Sequence, residues 1–381
     1  MRIAFISSLN GGVGTFTINL SKALSEHVEG LDLYVWQDPN RSISVPKLPE
    51  NVKIKIIENN PILFFLKIFY HIPNLRNYDL IHFTQASFSL PIFIASKLFG
   101  IPCVFTYNGY IEENLWKYLL TFKFKFGTFV EEISRVFGIK MATKYIVVSN
   151  YVREKSEKRY KRKCKVIYYG VDIKDLYQNV RNRIRERLQI KNEENLILFI
   201  SILYKFKDPI TLVNAIPRVV KICNNVKFLI IGGGEMYDEI LYRIKELRME
   251  KYVITMKFVE DVGEYYSAAD IFVMPSPRES FGLVCLEAMA YGLPVIAANG
   301  GAAPEVVGDA GLLFEPKNSE DLANKIIELI NNKKLYKKLK GKGLKRVKQF
   351  TWDRAAMKYY ELYKKTLEMK DSATKYTKAK L

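Results

Sequence analysis

Two glutamates, Glu279 and Glu287, are separated by seven residues inside Ile271-Phe-Val-Met-Pro-Ser-Pro-Arg-Glu279-Ser-Phe-Gly-Leu-Val-Cys-Leu-Glu287-Ala-Met-Ala-Tyr-Gly-Leu-Pro294. The apolar run before Pro275 reads as a strand and the next residues as a loop. A helix is expected from near Phe281 to the stop at Gly292-Leu-Pro294. Helical side chains lean toward the N-terminus, and residues four apart share a face. Glu287 therefore projects along the face of Leu283, back toward the free amides of the first turn, and Glu279 approaches the same point from the loop. Carboxylates accept hydrogen bonds from hydroxyls, and free amides at the positive end of a helix attract phosphate. The competing reading makes Glu279 a surface residue and Glu287 a salt-bridged helix glutamate, and spacing alone favours it.

A second cluster is Ser8-Leu-Asn-Gly11-Gly12-Val-Gly14-Thr15, directly after the first apolar run. Glycines at a strand-to-helix turn let backbone N–H groups approach a phosphate. A P-loop needs Lys followed by Ser or Thr after the last glycine, and Thr15-Phe16 stand there instead. ATPase and GTPase chemistry is thereby excluded. A dinucleotide loop needs a further glycine where Thr17 stands, although Asp38 is available for a ribose. A tight turn that binds nothing remains open on the glycines alone.

The elements that must carry these groups follow from short β-branched runs alternating with helical patterns. Strands are expected at 3–6, 32–36, 80–83, 103–107 and 145–148, then at 196–200, 227–231, 271–274 and 294–297. Helices are expected at 16–25, 209–222 and 235–247. This alternation occurs twice and predicts two doubly wound parallel sheets, with the interdomain connection in the basic stretch 169–192. Ligands then belong at the carboxyl ends of the strands, in the cleft between the two domains. A helical segment from about Leu335 to Met369 carries Trp352, Tyr359, Tyr360 and Tyr363 at helical spacings, and the polar residues from Lys370 on are expected to be unstructured.

Of the 381 residues, 49% are hydrophobic and 26% charged, which supplies ample core for a globular protein. Met1-Arg-Ile-Ala-Phe-Ile6 enters a turn rather than a cleavage site, and no run approaches the length of a spanning helix. A cytoplasmic location is expected. Cys103, Cys164, Cys223 and Cys285 are scattered and read as structural thiols, and three scattered histidines supply no metal site. The net charge of +19 is concentrated. Residues 153–165 carry eight basic residues against Glu154 and Glu157, and 333–348 carry nine with no acid. Without a zinc finger, an RNP-type aromatic motif or a KH-type loop, solvated or membrane-facing helices are favoured over a nucleic-acid surface. The segment 115–126 interleaves aromatics with lysines and fits either a bilayer interface or a half-buried strand. Contact with the inner face of an anionic membrane is therefore a further expectation.

The pattern Pro-Ser-x-x-Glu279-Ser-Phe-Gly-Leu-Val-x-Leu-Glu287-Ala-Met-Ala-x-Gly-Leu-Pro-Val resembles the signature of retaining GT-B glycosyltransferases of family four. The likeness extends to Gly11-Gly12-Val-Gly14, Val148-Ser-Asn-Tyr151, Tyr169-Gly-Val-Asp172, Gly232-Gly233-Gly234, Gly300-Gly301-Ala-Ala-Pro304-Glu305 and the helix from Trp352 to Tyr363. It spares only the region around 40–75 and the tail.

The resemblance implies two Rossmann-like domains facing a cleft: 1–172 on the acceptor side, 173–350 for the nucleotide-sugar, a helix 351–369 returning to the first domain, and the tail 370–381. It implies sugar transfer from a UDP- or GDP-sugar to a glycan or lipid-linked acceptor, with retention and without a metal or other cofactor. Glu287 would hold the ribose and Glu279 the sugar hydroxyls. The amides of Leu283 and Val284, with that of Gly12, would face the diphosphate. Gly14, Gly233, Phe281 and Gly282 belong to the same donor motifs. None of the thirteen aspartates forms an Asp-x-Asp pair, so amides and a basic side chain must carry the diphosphate charge.

Two positions depart from the family. Ser201-Ile202-Leu203-Tyr204-Lys205-Phe206-Lys207 has Ile202 where the family has a phosphate-binding arginine, so Lys207, the match to the family lysine, or Lys205 must supply the counter-charge. Asn108-Gly109 stands where the family often has His-Gly; Asn108 can hydrogen-bond a sugar but cannot shuttle a proton. The alternatives are a sugar-nucleotide epimerase or phosphorylase on the same fold, a binding module that has lost turnover, and a basic nucleic-acid-binding protein.

Overall fold

In the computed structural model, residues 1–38, 46–109, 126–172 and 178–378 are described. The chain divides into two units, one formed by Met1–Gly170 with Trp352–Leu381 and the other by Val171–Thr351. The segment 115–126 lies, except for its last residue, outside the described residues, as do 173–177 of the expected connection.

The first unit is built on a parallel sheet. Its strands are β1 (Arg2–Ser8), β2 (Gly30–Trp36), β3 (Val52–Glu58), β4 (Leu80–Phe83), β5 (Cys103–Tyr107), β6 (Lys144–Val147) and β7 (Lys165–Val166), in the order β3-β2-β1-β4-β5-β6-β7. The second unit has β8 (Asn195–Ile200), β9 (Val226–Ile231), β10 (Val253–Met256), β11 (Ile271–Met274), β12 (Val295–Ala298) and β13 (Gly311–Phe314), in the order β10-β9-β8-β11-β12-β13. Both orders reverse beside the first strand, β1 in one sheet and β8 in the other. That is the doubly wound arrangement, in which ligands bind at the carboxyl ends beside the reversal.

The central strands are continuous apolar runs because both of their faces are covered by helices. Ile197, Phe199, Phe228, Ile230, Val273 and Ile296 belong to one buried cluster with Leu212, Ile216 and Val219 of the helix Pro209–Ile222. The two edge strands of each sheet, β3 and β7 in one and β10 and β13 in the other, lie outside the strands expected from the sequence. Val52-Lys-Ile-Lys-Ile-Ile-Glu58 alternates polar and apolar residues, and Lys165-Val166 is only two residues long, so neither offers an apolar run.

The helix Trp352–Lys378 belongs to the first unit and is held there by a buried polar chain. Tyr363 Oη and His82 Nδ1 are 2.7 Å apart, His82 Nε2 lies 2.8 Å from Thr106 Oγ1, and Thr106 Oγ1 lies 3.1 Å from Tyr359 Oη. His82 stacks on Phe5 at 4.3 Å between ring centroids, and its burial lowers its pKa to about 3. The helix runs past Met369 to Lys378, so residues 370–378 are helical rather than the unstructured tail expected. No Gly or Pro interrupts 371–378, and Ser372 Oγ donates to the Glu368 carbonyl at 2.9 Å. The helical segment from Leu335 is not continuous either, since Lys333–Arg346 gives way to a 3-10 turn at Val347–Gln349 before Trp352.

Candidate active site

In the second unit, the loops after β8 and β11 carry the groups that could do chemistry, and these two strands are neighbours at the point where the strand order reverses. The chain leaves β8 through Ser201–Tyr204 into a 3-10 turn, Lys205–Lys207. Gly232 and Gly234, after β9, have φ of 152° and 153°; a Cβ on Gly232 would lie 1.8 Å from the Ser201 carbonyl oxygen, and one on Gly234 2.5 Å from that of Leu203. Glycine is required at both positions because the two loops approach backbone to backbone. The Leu203 amide donates to the Gly233 carbonyl at 2.9 Å, and the Met236 amide to the Leu203 carbonyl at 3.0 Å. Gly233 thus helps to fix the lysine turn.

Lys207 Nζ donates to Glu279 Oε1 in an ion pair whose side chains are only 18% and 9% exposed. Lys205, on the same turn, is exposed. The Glu279 loop is seated from behind. A Cβ on Gly301, at φ 60°, would lie 2.4 Å from the Glu279 amide nitrogen, and the Ala302 amide donates to the Glu279 carbonyl at 2.8 Å.

The next helix is Leu283–Ala290, two residues later than expected, because Gly282 occupies the N-cap with φ 94°. No side chain caps this helix, whereas Asn60, Ser149, Asp261, Asn318 and Asn332 cap others in the chain. Its first amides are consequently available to an anion. Phe281 is buried, its ring 6.1 Å from that of Phe350, so its side chain belongs to the core and only its backbone borders the motif.

Glu287, half-buried one turn further on, accepts from Tyr266 Oη at 3.0 Å. Burial raises its pKa, the Tyr266 hydrogen bond draws it back down, and the Asp172 charge adds to the rise. Tyr266 stacks on Tyr291 at 5.4 Å and packs at 5.7 Å from Phe272, which holds the hydroxyl toward the carboxylate. Tyr266 lies in no recognisable motif, and only its place in the helix Val262–Ala268 beside β11 brings it here. The Lys207–Glu279 pairing was equally invisible in the sequence, because the partners are 72 residues apart. Ile202, at the family arginine position, is 44% exposed and carries no charge into the site.

In the first unit, the helix Gly11–Ser25 starts five residues earlier than expected, so the glycines form its first turn. Its N-cap, Asn10, does not cap it, since Asn10 Oδ1 accepts from the Asp38 amide at 2.7 Å instead. Gly12 is exposed, and a Cβ there would meet nothing within 4 Å; a Cβ on Gly14 would lie 2.5 Å from the carbonyl carbon of Leu9. Gly14 is therefore a packing glycine, and Gly12 is the one open to a ligand. Asn108, half-buried, follows β5 at the same carboxyl edge of the sheet as the glycine turn. Among the described residues, no three His, Cys, Asp or Glu side chains gather as a metal site, and no helix is long and apolar enough to cross a membrane.

Two parallel-sheet Rossmann-like units, of seven and six strands, are the fold of a GT-B glycosyltransferase. The chain belongs to the family-four-like glycosyltransferases: the family described as Glycosyl transferases group 1 matches residues 180–346, and Glycosyltransferase Family 4 matches residues 10–175. An uncharacterized glycosyltransferase of Methanocaldococcus jannaschii is 28% identical over 367 residues, covering 93% of this chain and 94% of its own. The UDP-Gal:alpha-D-GlcNAc-diphosphoundecaprenol alpha-1,3-galactosyltransferase of Escherichia coli is 26% identical, covering 78% of this chain and 77% of its own. Among solved structures, Anabaena HepE in complex with UDP and glucose superposes with a TM-score of 0.77 at 20% identity, covering 96% of this chain and 100% of that one.

Proposed function

We propose that the protein transfers a hexosyl group from a UDP- or GDP-sugar to a glycan or lipid-linked acceptor, with retention at the anomeric carbon and without a metal ion. The observation that carries this reading is the buried Lys207–Glu279 pair beside the uncapped start of Leu283–Ala290, with Glu287 one turn further along the same helix. In this reading Glu287 accepts from the ribose hydroxyls, and Tyr266 keeps its carboxylate in place. Glu279 accepts from the sugar hydroxyls and orients the donor. The amides of Leu283 and Val284 receive the diphosphate, and Lys207 neutralises the charge that grows on it as the bond to the sugar breaks. Because Ile202 replaces an arginine, the counter-charge is a point charge on a flexible stem rather than a planar fork. Gly12 and Asn108, at the carboxyl edge of the first unit, are assigned to diphosphate and sugar contacts.

Relatives support the donor and acceptor classes. HepE is described with UDP and glucose, and the Escherichia coli relative by a UDP-sugar donor and a diphosphoundecaprenol-linked acceptor. In this reading the work is done at the cytoplasmic face of a membrane, with the basic segment 153–165 as a peripheral contact. A sugar-nucleotide-binding protein on the same fold that has lost this turnover is the second reading, favoured by Ile202 and Asn108 at the positions where the family has arginine and histidine.

The test is to follow slow acceptor-free breakdown of α-linked UDP- and GDP-sugars by proton NMR, with and without EDTA. The reading expects free nucleotide with the α-sugar appearing first, and no effect of EDTA. β-Sugar first, loss of turnover in EDTA, or conversion to an epimeric nucleotide-sugar without free nucleotide would each contradict part of it.

A further inference from the structure

At the amino edge of the first sheet, away from the glycine turn, lies a cleft of about 470 Å³ between β6, β7 and the helix Trp352–Lys378. Lys144 and Lys165 open their strands, and in a parallel sheet the first residues of the strands lie at the edge opposite the carboxyl ends, where Gly12 and Asn108 stand. The lining also includes Arg162 and Lys163 from the loop before β7 and Lys365 from the helix, over Tyr145, Leu362 and Met369, and it contains no Asp or Glu. Among the described residues, none of these five cations is within salt-bridge distance of a carboxylate. Among the described residues, Arg162 Nη2 donates to the Ala142 carbonyl, Arg162 Nη1 is buried without a hydrogen-bond partner, and Lys144 Nζ lies 3.6 Å from Met369 Sδ. Glu157, on the helix Asn150–Tyr160 before this loop, accepts from the Cys164 amide at 3.0 Å.

Gathering four lysines and an arginine around one cleft whose lining holds no carboxylate carries a like-charge cost, a small one where the lysines are exposed to water. A ligand with several closely spaced negative charges would remove that cost and tie the loop 161–165 to the terminal helix. We propose that this cleft is a second anion site, distinct from the donor site, for a ligand bearing clustered phosphates. Such phosphates come either as a free polyphosphate or as the headgroups of an anionic lipid.

The experiment uses the full chain, its Lys163→Gln/Lys165→Gln/Lys365→Gln variant and, as a control for phosphate entering the donor site, Lys207→Ala. All three replaced lysines of the triple variant are exposed, so its unfolding temperature without ligand should match or exceed that of the wild type. Each protein is titrated with tripolyphosphate and with vesicles of phosphatidylglycerol or phosphatidylcholine. Tripolyphosphate should raise the unfolding temperature of wild type and Lys207→Ala alike and bind the triple variant about tenfold more weakly. If only phosphatidylglycerol vesicles bind, and the triple variant releases them, the site holds and its phosphates are lipid headgroups. Equal binding by the triple variant in both arms, or binding lost only in Lys207→Ala, overturns the proposal.

Discussion

Replacing Lys207 by Met removes the ion-pair partner that the described residues give the Glu279 carboxylate, whose exposure is 9%. Removing one partner of a buried pair typically costs about 3–5 kcal/mol, because the remaining charge stays desolvated. Lys207 is 18% exposed, so water partly fills its place, and a loss of about 2–4 kcal/mol is expected for this variant. For a unit of this size each kcal/mol moves the midpoint by roughly 2–4 °C, so the unfolding temperature should fall by roughly 4–16 °C. Glu279→Gln should cost less, because the long lysine stem can carry its ammonium to water. The double variant Lys207→Met/Glu279→Gln should recover to within about 1 kcal/mol of wild type, since an uncharged pair is tolerated where a lone charge is not. Its donor turnover should nevertheless be lost. Thermal and urea unfolding of the four proteins, with turnover measured in parallel, checks the cycle. A double variant destabilised by the sum of the single losses would refute the pairing, and one that retained turnover would refute the role given to it.

Gly12→Ala should leave stability unchanged or raise it by about 0.5–1 kcal/mol while reducing turnover, because a Cβ there meets no protein atom. Gly14→Ala should lower the unfolding temperature sharply, since its Cβ would lie 2.5 Å from Leu9. Melting curves and rates for the two variants separate the open glycine from the packing one. His82, with its pKa lowered to about 3 by burial, binds its proton only in the unfolded chain between that value and about 6.5. Folding stability on its account is complete above the upper value and is lost as pH falls toward the lower. From pH 7 to 5 the wild type should lose about 2 kcal/mol more than His82→Asn, as urea titrations at both pH values would show. Glu287 has the opposite sign, because its raised pKa makes the charged form costly, and stability is lost as pH rises through it. Tyr266→Phe removes the hydrogen bond that lowers this pKa, so nucleotide affinity should begin to fall at a higher pH than in wild type on acidification. Superimposable affinity–pH profiles would contradict that assignment.

The sequence disclosed the fold through its strand cores. Leu80–Phe83, Cys103–Tyr107 and Ile271–Met274 are mostly apolar and buried along their whole length, and they were legible to the residue. What stayed hidden were the sheet edges, where Val52–Glu58 carries lysines on a half-covered face and a two-residue strand has no pattern at all. The helix Leu283–Ala290 and its Glu287 were readable because helix geometry is local. The Lys207–Glu279 pair and the Tyr266 hydroxyl were not, because each depends on which loops meet at neighbouring strand ends, and that is set by sheet order. Gly12 and Gly14 look alike in sequence, and only the path of Leu9 past one of them separates their roles.

The central claim is that the second unit binds a nucleotide-sugar through Glu287 and the start of its helix. Titrating UDP-, GDP- and ADP-sugars against the wild type and Glu287→Ala, by calorimetry or thermal shift, tests it most directly. The account predicts that a UDP- or GDP-sugar binds and stabilises the wild type, and that binding weakens by about tenfold or more when the ribose-holding carboxylate is removed. Stabilisation by none of the nucleotides, or equal binding by Glu287→Ala, would contradict it.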